Sequence, residues 1–474
     1  MATHRNEPAR GEAQGEAQEP PIDRLTAGLA ARQVAQRAVA DLLGQNRALA
    51  LEDALTQAGR HAGLDPADTA LARAIATATF RRLGFLRAAL AARMTQGLPD
   101  DPRLVALLTT GAAQILDLNV PDHAAVDVSV RLAKADPQLR HLASLVNAVL
   151  RRVARERDAF RADEADPLAR NTPDWLRERW VAAYGEAAAR AVAAAHLDGA
   201  AVDLTVPKDA GAWAGTLGGI ALDLGSVRLT DVRSPVSELP GYSDGAWWVQ
   251  DAAAALPARL LGVSAGERVA DLCAAPGGKT AQLAAMGARV MAVDRSKSRL
   301  ERLTRNLARL GLSAEIRIID ALDLPGDGTY DAVLLDAPCS ATGTLRRHPD
   351  VAWTKDRTDV ARLAGLQSRL LDKAARLVKP GGRLVYCTCS LEPEEGEGQI
   401  ARFLARHPDY RRVPIAAAEI GGHAELIDAD GDLRTLPCHL ADEAPARRGG
   451  LDGFFASRLR RAEATAQDTA LAEG

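Results

Sequence analysis

Apolar residues recur at helical spacing through the first third of this chain, over 31–43, 67–90, 103–116, 124–133 and 139–153. Pro and Gly mark the joins at Gly63, Pro66, Gly97, Pro99, Pro121 and Pro137. The pattern predicts an all-α bundle with short loops. A further helix is expected over 173–196, with Thr172 as its cap and Pro173 at its first position. Residues 201–206, 220–224 and 246–249 read as short strands of a small α+β subdomain. From Arg268 the pattern alternates. Apolar runs at 268–272, 289–293, 315–319, 332–335 and 383–386 read as strands. Helices are expected between them at 280–286, 298–310 and over a long stretch ending near Leu377. This order predicts an α/β, Rossmann-like doubly wound, mostly parallel sheet. The expected organisation is multidomain: a disordered tail at 1–20, a helical domain at 21–165, connector helices with the small subdomain at 166–250, the α/β domain at 251–461, and a flexible tail at 462–474.

Bulk properties narrow the setting. A chain of 474 residues can bury a sizeable core in several domains. A net charge of −3 gives no global basic field, so a nucleic acid would be held by local Arg/Lys patches. Cys273, Cys339, Cys387, Cys389 and Cys438 are too irregularly spaced for a disulfide framework and read as reduced thiols of a cytoplasmic protein. Neither a zinc-type His/Cys spacing nor a membrane-length apolar run is present, so neither metal nor membrane is expected. The polar N-terminus carries no signal-peptide stretch.

Chemistry concentrates at the ends of the predicted strands. Asp336-Ala337-Pro338-Cys339-Ser340 follows one apolar run and Thr388-Cys389-Ser390 follows another. In an open α/β sheet the ligand crevice lies beyond the carboxyl ends of the strands, so both thiols should enter one crevice. The first strand runs into Asp271-Leu272-Cys273-Ala274-Ala275-Pro276-Gly277-Gly278-Lys279-Thr280, small residues that let backbone approach a ligand at a helix N-terminus. It is not a P-loop, because Cys273 stands where the first Gly is needed. Asp294, Asp320 and Asp336 close the next three strands. Acids in that series suit ribose hydroxyls, an adenine amino group and the cationic S-adenosylmethionine.

The cofactor loop, the segment from Leu335 to Gly343 and Cys387-Thr388-Cys389-Ser390 closely resemble the Sun/Fmu (RsmB/NOP) family of RNA cytosine-5 methyltransferases. So do Arg346-Arg347-His348-Pro349-Asp350 with Trp353, Leu451-Asp452-Gly453-Phe454-Phe455 and Trp248-Val249-Gln250-Asp251. This resemblance spans roughly residues 170–460. The helical region resembles the NusB-like RNA-binding domain often fused in front, best at Leu145-Val146-Asn147-Ala148-Val149-Leu150-Arg151-Arg152.

The resemblance implies S-adenosylmethionine-dependent methylation of cytosine carbon 5 in RNA, most readily 16S ribosomal RNA. The alternatives are the same chemistry on tRNA, or a non-catalytic RNA-binding ribosome-assembly factor. It implies cofactor contacts from Cys273, Ala274, Ala275, Pro276, Gly277, Gly278, Lys279, Asp294, Asp320 and Asp336. A thiolate is needed because carbon 5 is a weak nucleophile until a sulfur adds at carbon 6. Which cysteine attacks is open from the residues alone. The Pro-Cys peptide is the nucleophile of DNA cytosine-5 methyltransferases and points to Cys339; the closer RNA family uses the Thr-Cys-Ser peptide and points to Cys389, leaving Cys339 to help release product. Asp336 is the expected partner of cytosine N3, with Lys279 a secondary contact. Cys273, Cys387 and Cys438 are expected to be structural. Arg346, Arg347 and His348, and the pairs Arg81-Arg82 and Arg151-Arg152, are candidates for RNA phosphates. The expected state is a monomer.

Overall fold

The structure is a computed structural model and describes residues 28–463 apart from Gln45, Ala48, 163–165, Thr230, Arg233 and 442–448. The expected tail at 1–20 lies outside the described residues, as does 464–474 of the second tail.

The N-terminal domain is a helical bundle built around Pro102–Leu116, whose residues from Leu104 to Leu116 are all buried. Leu29–Leu43, Leu51–Ala62, Pro66–Arg81, Leu83–Ala91, Asp122–Ala135 and Ala143–Arg155 form the rest. Sequence sets the helix starts. Asp65 and Asp101 each accept a backbone N–H of the first turn, with proline immediately after. Gly111 lets helices meet closely, since a Cβ there would lie 2.7 Å from Leu150 Cδ1. The expected single helix at 67–90 is two, because Arg82 takes non-helical angles (φ −118°, ψ 20°). The connector helix runs Asp174–Asp198 with a kink at Gly185, and Pro173 rather than Thr172 takes the cap position.

Four short antiparallel strands make the small sheet: β1 (Val202–Thr205), β2 (Ile220–Ala221), β3 (Ser226–Leu229) and β4 (Trp248–Val249), in the order β2-β3-β1-β4. Strand β3 was not expected, because Ser226 and Arg228 interrupt its apolar pattern; Arg228 is buried and donates to both Asp203 carboxylate oxygens at 2.7 and 2.8 Å.

The large sheet contains β5 (Arg268–Leu272), β6 (Arg289–Asp294), β7 (Glu315–Ile318), β8 (Tyr330–Asp336), β9 (Val378–Thr388), β10 (Tyr410–Arg412), β11 (Leu433–Thr435) and β12 (Phe454–Arg461). Its order is β10-β12-β9-β8-β5-β6-β7, with β11 paired to β12. Strands β5 to β9 pair in parallel and β10, β11 and β12 antiparallel. Val269, Leu334 and Val385 face one layer of helices, including Ala252–Leu260 and Gly278–Ala285. Ala270, Val333, Leu335 and Leu384 face the other, formed by Arg357–Leu377 and Glu397–Arg406. Burial on both faces explains the continuous apolar runs. The strand order reverses between β5 and β8, the switch point where crevices open.

The helical domain and the α/β domain share specific contacts. The Leu51 amide donates to Asp350 Oδ2 at 3.3 Å, Trp353 Nε1 to the Phe80 carbonyl at 3.0 Å, and Arg81 to the Arg346 carbonyl at 2.9 Å.

Candidate active site

Strands β8 and β9 lie side by side with Asp336 opposite Cys387, so the loops that follow them leave the sheet together. Cys339 and Cys389 meet there, sulfur to sulfur at 3.5 Å. The loops are fastened by backbone: the Ala337 amide donates to the Cys387 carbonyl at 2.9 Å and the Gly343 amide to the Cys389 carbonyl at 3.0 Å. A Cβ on Gly343 would stand 1.9 Å from the Gly453 carbonyl oxygen, and backbone cannot yield as a side chain does. Gly343→Ala is therefore expected to cost about 1–3 kcal/mol and to lower turnover with it. Thermal melting and methylation rates check this; a variant that melts and turns over like the parent would refute the close-packing argument.

Lys279 enters from the cofactor loop. Its Nζ is 2.7 Å from Asp336 Oδ2 and 4.9 Å above the Phe454 ring. Burial opposes the ammonium, yet the Asp336 carboxylate outweighs it and the lysine is held above its ordinary pKa. Cys387 is fully buried and donates to Asp336 Oδ1 at 3.6 Å; burial, then Asp336, pushes its thiol well up. The Cys339 thiol is also pushed well up, first by its contact with the Cys389 sulfur and then by burial.

A cavity of about 400 Å³ opens onto Cys389, Lys279 and Asp336, with Trp248, Asp251 and Phe454 in its wall. Asp294 and Asp320 stand outside that wall. Asp294 accepts from the Ala275 amide at 3.2 Å and the Ser296 amide at 2.9 Å, pinning the cofactor loop. Asp320 accepts from the Leu322 amide at 3.0 Å. Cys273 takes a left-handed turn (φ 61°) and its thiol is pushed up to about 12, first by burial.

Arg346 and Arg347, candidates for RNA phosphates, both turn to partners within the protein, although Arg347 keeps 22% of its side chain exposed beside the cavity. Arg346 is buried and donates to the carbonyls of Gly199 and Gly449. Arg347 donates to the Asp251 carboxylate at 2.5 Å, the Asp452 carboxylate at 3.2 Å and the Ala201 carbonyl at 3.0 Å. Backbone carbonyls hold the Arg346 guanidinium, and buried carboxylates hold that of Arg347. His348 remains exposed at the cavity. Arg81 is spent on the carbonyls of His196 and Arg346 and Arg82 on Asp117, whereas Arg151 and Arg152 stay on the surface.

The family description "16S rRNA methyltransferase RsmB/F" matches residues 258–460, and that of the NusB family matches 29–155. Ribosomal RNA small subunit methyltransferase B of Xanthomonas campestris is 38% identical over 84% of this chain and 92% of that protein. Its counterpart in Xylella fastidiosa strain Temecula1 is 38% identical over 92% of this chain and 99% of its own length. The chain belongs to the RsmB/F family of methyltransferases. The crystal structure of PH0851 superposes with a TM-score of 0.70 over 90% of this chain and 99% of that one, at 23% identity, and shares the fold.

The cofactor of an RsmB/F methyltransferase is S-adenosylmethionine, and the residues present fit it. Asp271 Oδ2 accepts from Thr280 Oγ1 at 2.5 Å, while its Oδ1 is buried without a hydrogen-bond partner among the described residues. Burial, helped by Asp336 and Asp294, pushes this carboxyl up to about 7. An unpaired carboxylate oxygen at the cavity wall suits an ammonium donor. Gly277 (φ +105°) and Gly278 let the ligand side of the loop run close to its neighbours; a Cβ on Gly278 would lie 3.1 Å from the Gln250 side chain. In the sequence Asp251 and Asp452 stand only as parts of family-like segments. Their placement in the cavity wall comes from a long-range pairing that no local pattern records.

Proposed function

We propose that this protein methylates carbon 5 of a cytosine in 16S ribosomal RNA, with S-adenosylmethionine as donor and Cys389 as nucleophile. The observation that carries the reading is the pair of sulfurs 3.5 Å apart beside the Lys279–Asp336 pair at the switch point of the sheet. The proposed site residues are Cys389, Cys339, Asp336 and Lys279, with the cofactor held along the loop from Cys273 to Lys279 and by Asp336; Asp294 and Asp320, outside the cavity wall, are proposed to meet its ribose and adenine ends.

The Cys389 thiolate adds to carbon 6 of the base, and the displaced electron pair is taken up at N3, where Asp336 and Lys279 hold the incoming proton. Carbon 5 is now an enamine carbon and strongly nucleophilic. Bound S-adenosylmethionine supplies an electrophilic methyl group to it. Carbon 5 then loses its proton to water, the C5–C6 double bond re-forms, Cys389 leaves as thiolate, and N3 returns its proton to the Asp336–Lys279 pair. Cys339, kept as a thiol, donates a hydrogen bond to the departing sulfur. The target must be single-stranded or flipped out to reach the cavity.

Among the described residues no helix is long and apolar enough to cross a membrane, and no group of three or more His, Cys, Asp or Glu could hold a metal ion. The reading places the enzyme in the cytoplasm as a monomer, with the helical domain at 21–165 as its RNA-binding arm.

The test is transfer of labelled methyl groups from S-adenosylmethionine to naked 16S rRNA, followed by nucleoside analysis. Label is expected in 5-methylcytosine at one position. Label confined to tRNA would move the substrate, and label in any other nucleoside would end the proposal.

A further inference from the structure

Behind the two cysteines lies a buried acid that the mechanism above does not use. Glu395 has no exposed surface, and its carboxylate collects donors. The Ser340 amide reaches its two oxygens at 3.0 and 3.2 Å, the Ser340 hydroxyl donates to it, and Gln367 Nε2 donates at 2.9 Å. Gln367 Nε2 also holds the Pro338 carbonyl at 2.9 Å, so both neighbours of Cys339 are tied to this one group. The second cysteine peptide joins through Ser390, whose hydroxyl is 3.1 Å from that of Ser340 and accepts the Glu392 amide at 3.0 Å. Tyr386, fully buried, donates from its hydroxyl to the Glu395 carbonyl at 2.7 Å. Burial pushes the Glu395 carboxyl up, while the hydrogen bonds from Ser340, Ser390 and Gln367 oppose that shift, and the two amide-type N–H donors suit its acceptor-only, ionised form.

The charges around the sulfur pair are unequal. Glu395 and Tyr386 stand on the Cys339 side, and the carboxylate adds to the forces that keep that thiol protonated. Lys279, with Asp336 and Cys387, stands on the side that Cys389 shares with the cavity. A negative group behind one sulfur and an ammonium before the other bias a shared ionisation in one direction.

We propose that Glu395 is a positioning residue: through Ser340 and Ser390 it seats the two cysteines against each other and leaves the attacking role to Cys389. The inference rests on the functional reading above, and it supplies from charge placement the division of labour that the sequence left open.

Full-length parent and Glu395→Gln are labelled with iodoacetamide across a pH series, without RNA or cofactor, and the Cys339 and Cys389 peptides are quantified by mass spectrometry. In the variant the midpoint of Cys339 labelling is expected to fall by about one pH unit, because a negative neighbour has gone. A loosened loop alone would raise labelling at every pH without moving the midpoint. In methylation assays kcat should fall about tenfold or more, with KM for RNA and cofactor unchanged. An unmoved midpoint in Glu395→Gln, or a KM change without a kcat change, overturns the proposal. If Glu395→Gln does not fold, Ser340→Ala takes its place; the carboxylate stays, so the reading is then a kcat loss with KM unchanged, and an unchanged kcat overturns the proposal. Labelling needs no substrate, so a parent enzyme that methylates no RNA would instead sink the functional reading.

Discussion

Cys339→Ala, mixed with 16S rRNA and S-adenosylmethionine, is expected to accumulate a covalent protein–RNA adduct that survives denaturing electrophoresis, whereas Cys389→Ala should form none. The two substitutions remove sulfurs 3.5 Å apart, so packing losses are similar and the contrast reports chemistry. Without Cys389 no bond to carbon 6 forms, and methyl transfer should drop by roughly a thousandfold or more, as when a nucleophile is deleted from a covalent mechanism. Without Cys339 the addition and methyl transfer proceed, but the departing Cys389 sulfur loses its hydrogen-bond donor and the adduct persists. The opposite pattern would make Cys339 the nucleophile and would reverse the role assigned to Glu395.

Arg347→Met should be among the most destabilising single changes in the protein. The guanidinium bridges Asp251 and Asp452, both nearly fully buried, and links the small sheet through the Ala201 carbonyl. Removing one partner of a buried ion network leaves uncompensated charge, at a cost of about 3–5 kcal/mol. The loss should depend on pH. Burial, with Asp251 beside it, already pushes Asp452 up to about 7. For Asp251, burial opposes ionisation but Arg347 overcomes it and holds the carboxyl below its ordinary value. Without Arg347 both carboxyls rise. A carboxyl whose folded pKa exceeds its unfolded value binds its proton in the native state, so stability is lost as pH climbs between the two values. Urea melts should therefore show a larger deficit at pH 8 than at pH 5.5. Equal deficits at both pH values would mean that the carboxylates find other partners.

Much of the fold could be read from periodicity because the parallel strands are buried on both faces and carry continuous apolar runs. The cysteine peptides were legible for the same reason, since each ends such a strand. What periodicity could not reveal is where a buried charge finds its partner. Arg346-Arg347 reads as a solvated basic pair, yet Arg347 meets acids 96 and 105 residues away. Glu395 sits in an acid-rich stretch that looks like surface, and only the meeting of two loops buries it. The late antiparallel strands β10 to β12 escaped notice because arginines occupy most of their alternate positions. Arg434, for example, is buried against Glu397 at 2.8 and 2.9 Å. The helix Leu51–Ala62 is hard to read because its buried side is only Leu51, Ala54, Leu55 and Gly59.

Strand β12 lies directly against β9, with Phe455 opposite Thr388 and Ala456 opposite Cys387. Its Phe454 also forms part of the cavity wall. A ribosome synthesising this chain delivers both cysteines well before it delivers that strand. Until residues 454–461 emerge, one edge of β9 has no partner and the cavity lacks a side. A nascent chain thus carries its reactive sulfurs on an open sheet edge, a template for mispairing with other chains. Translation that stalls between residues 390 and 453 would leave a product that holds every thiol of the site and still cannot close it.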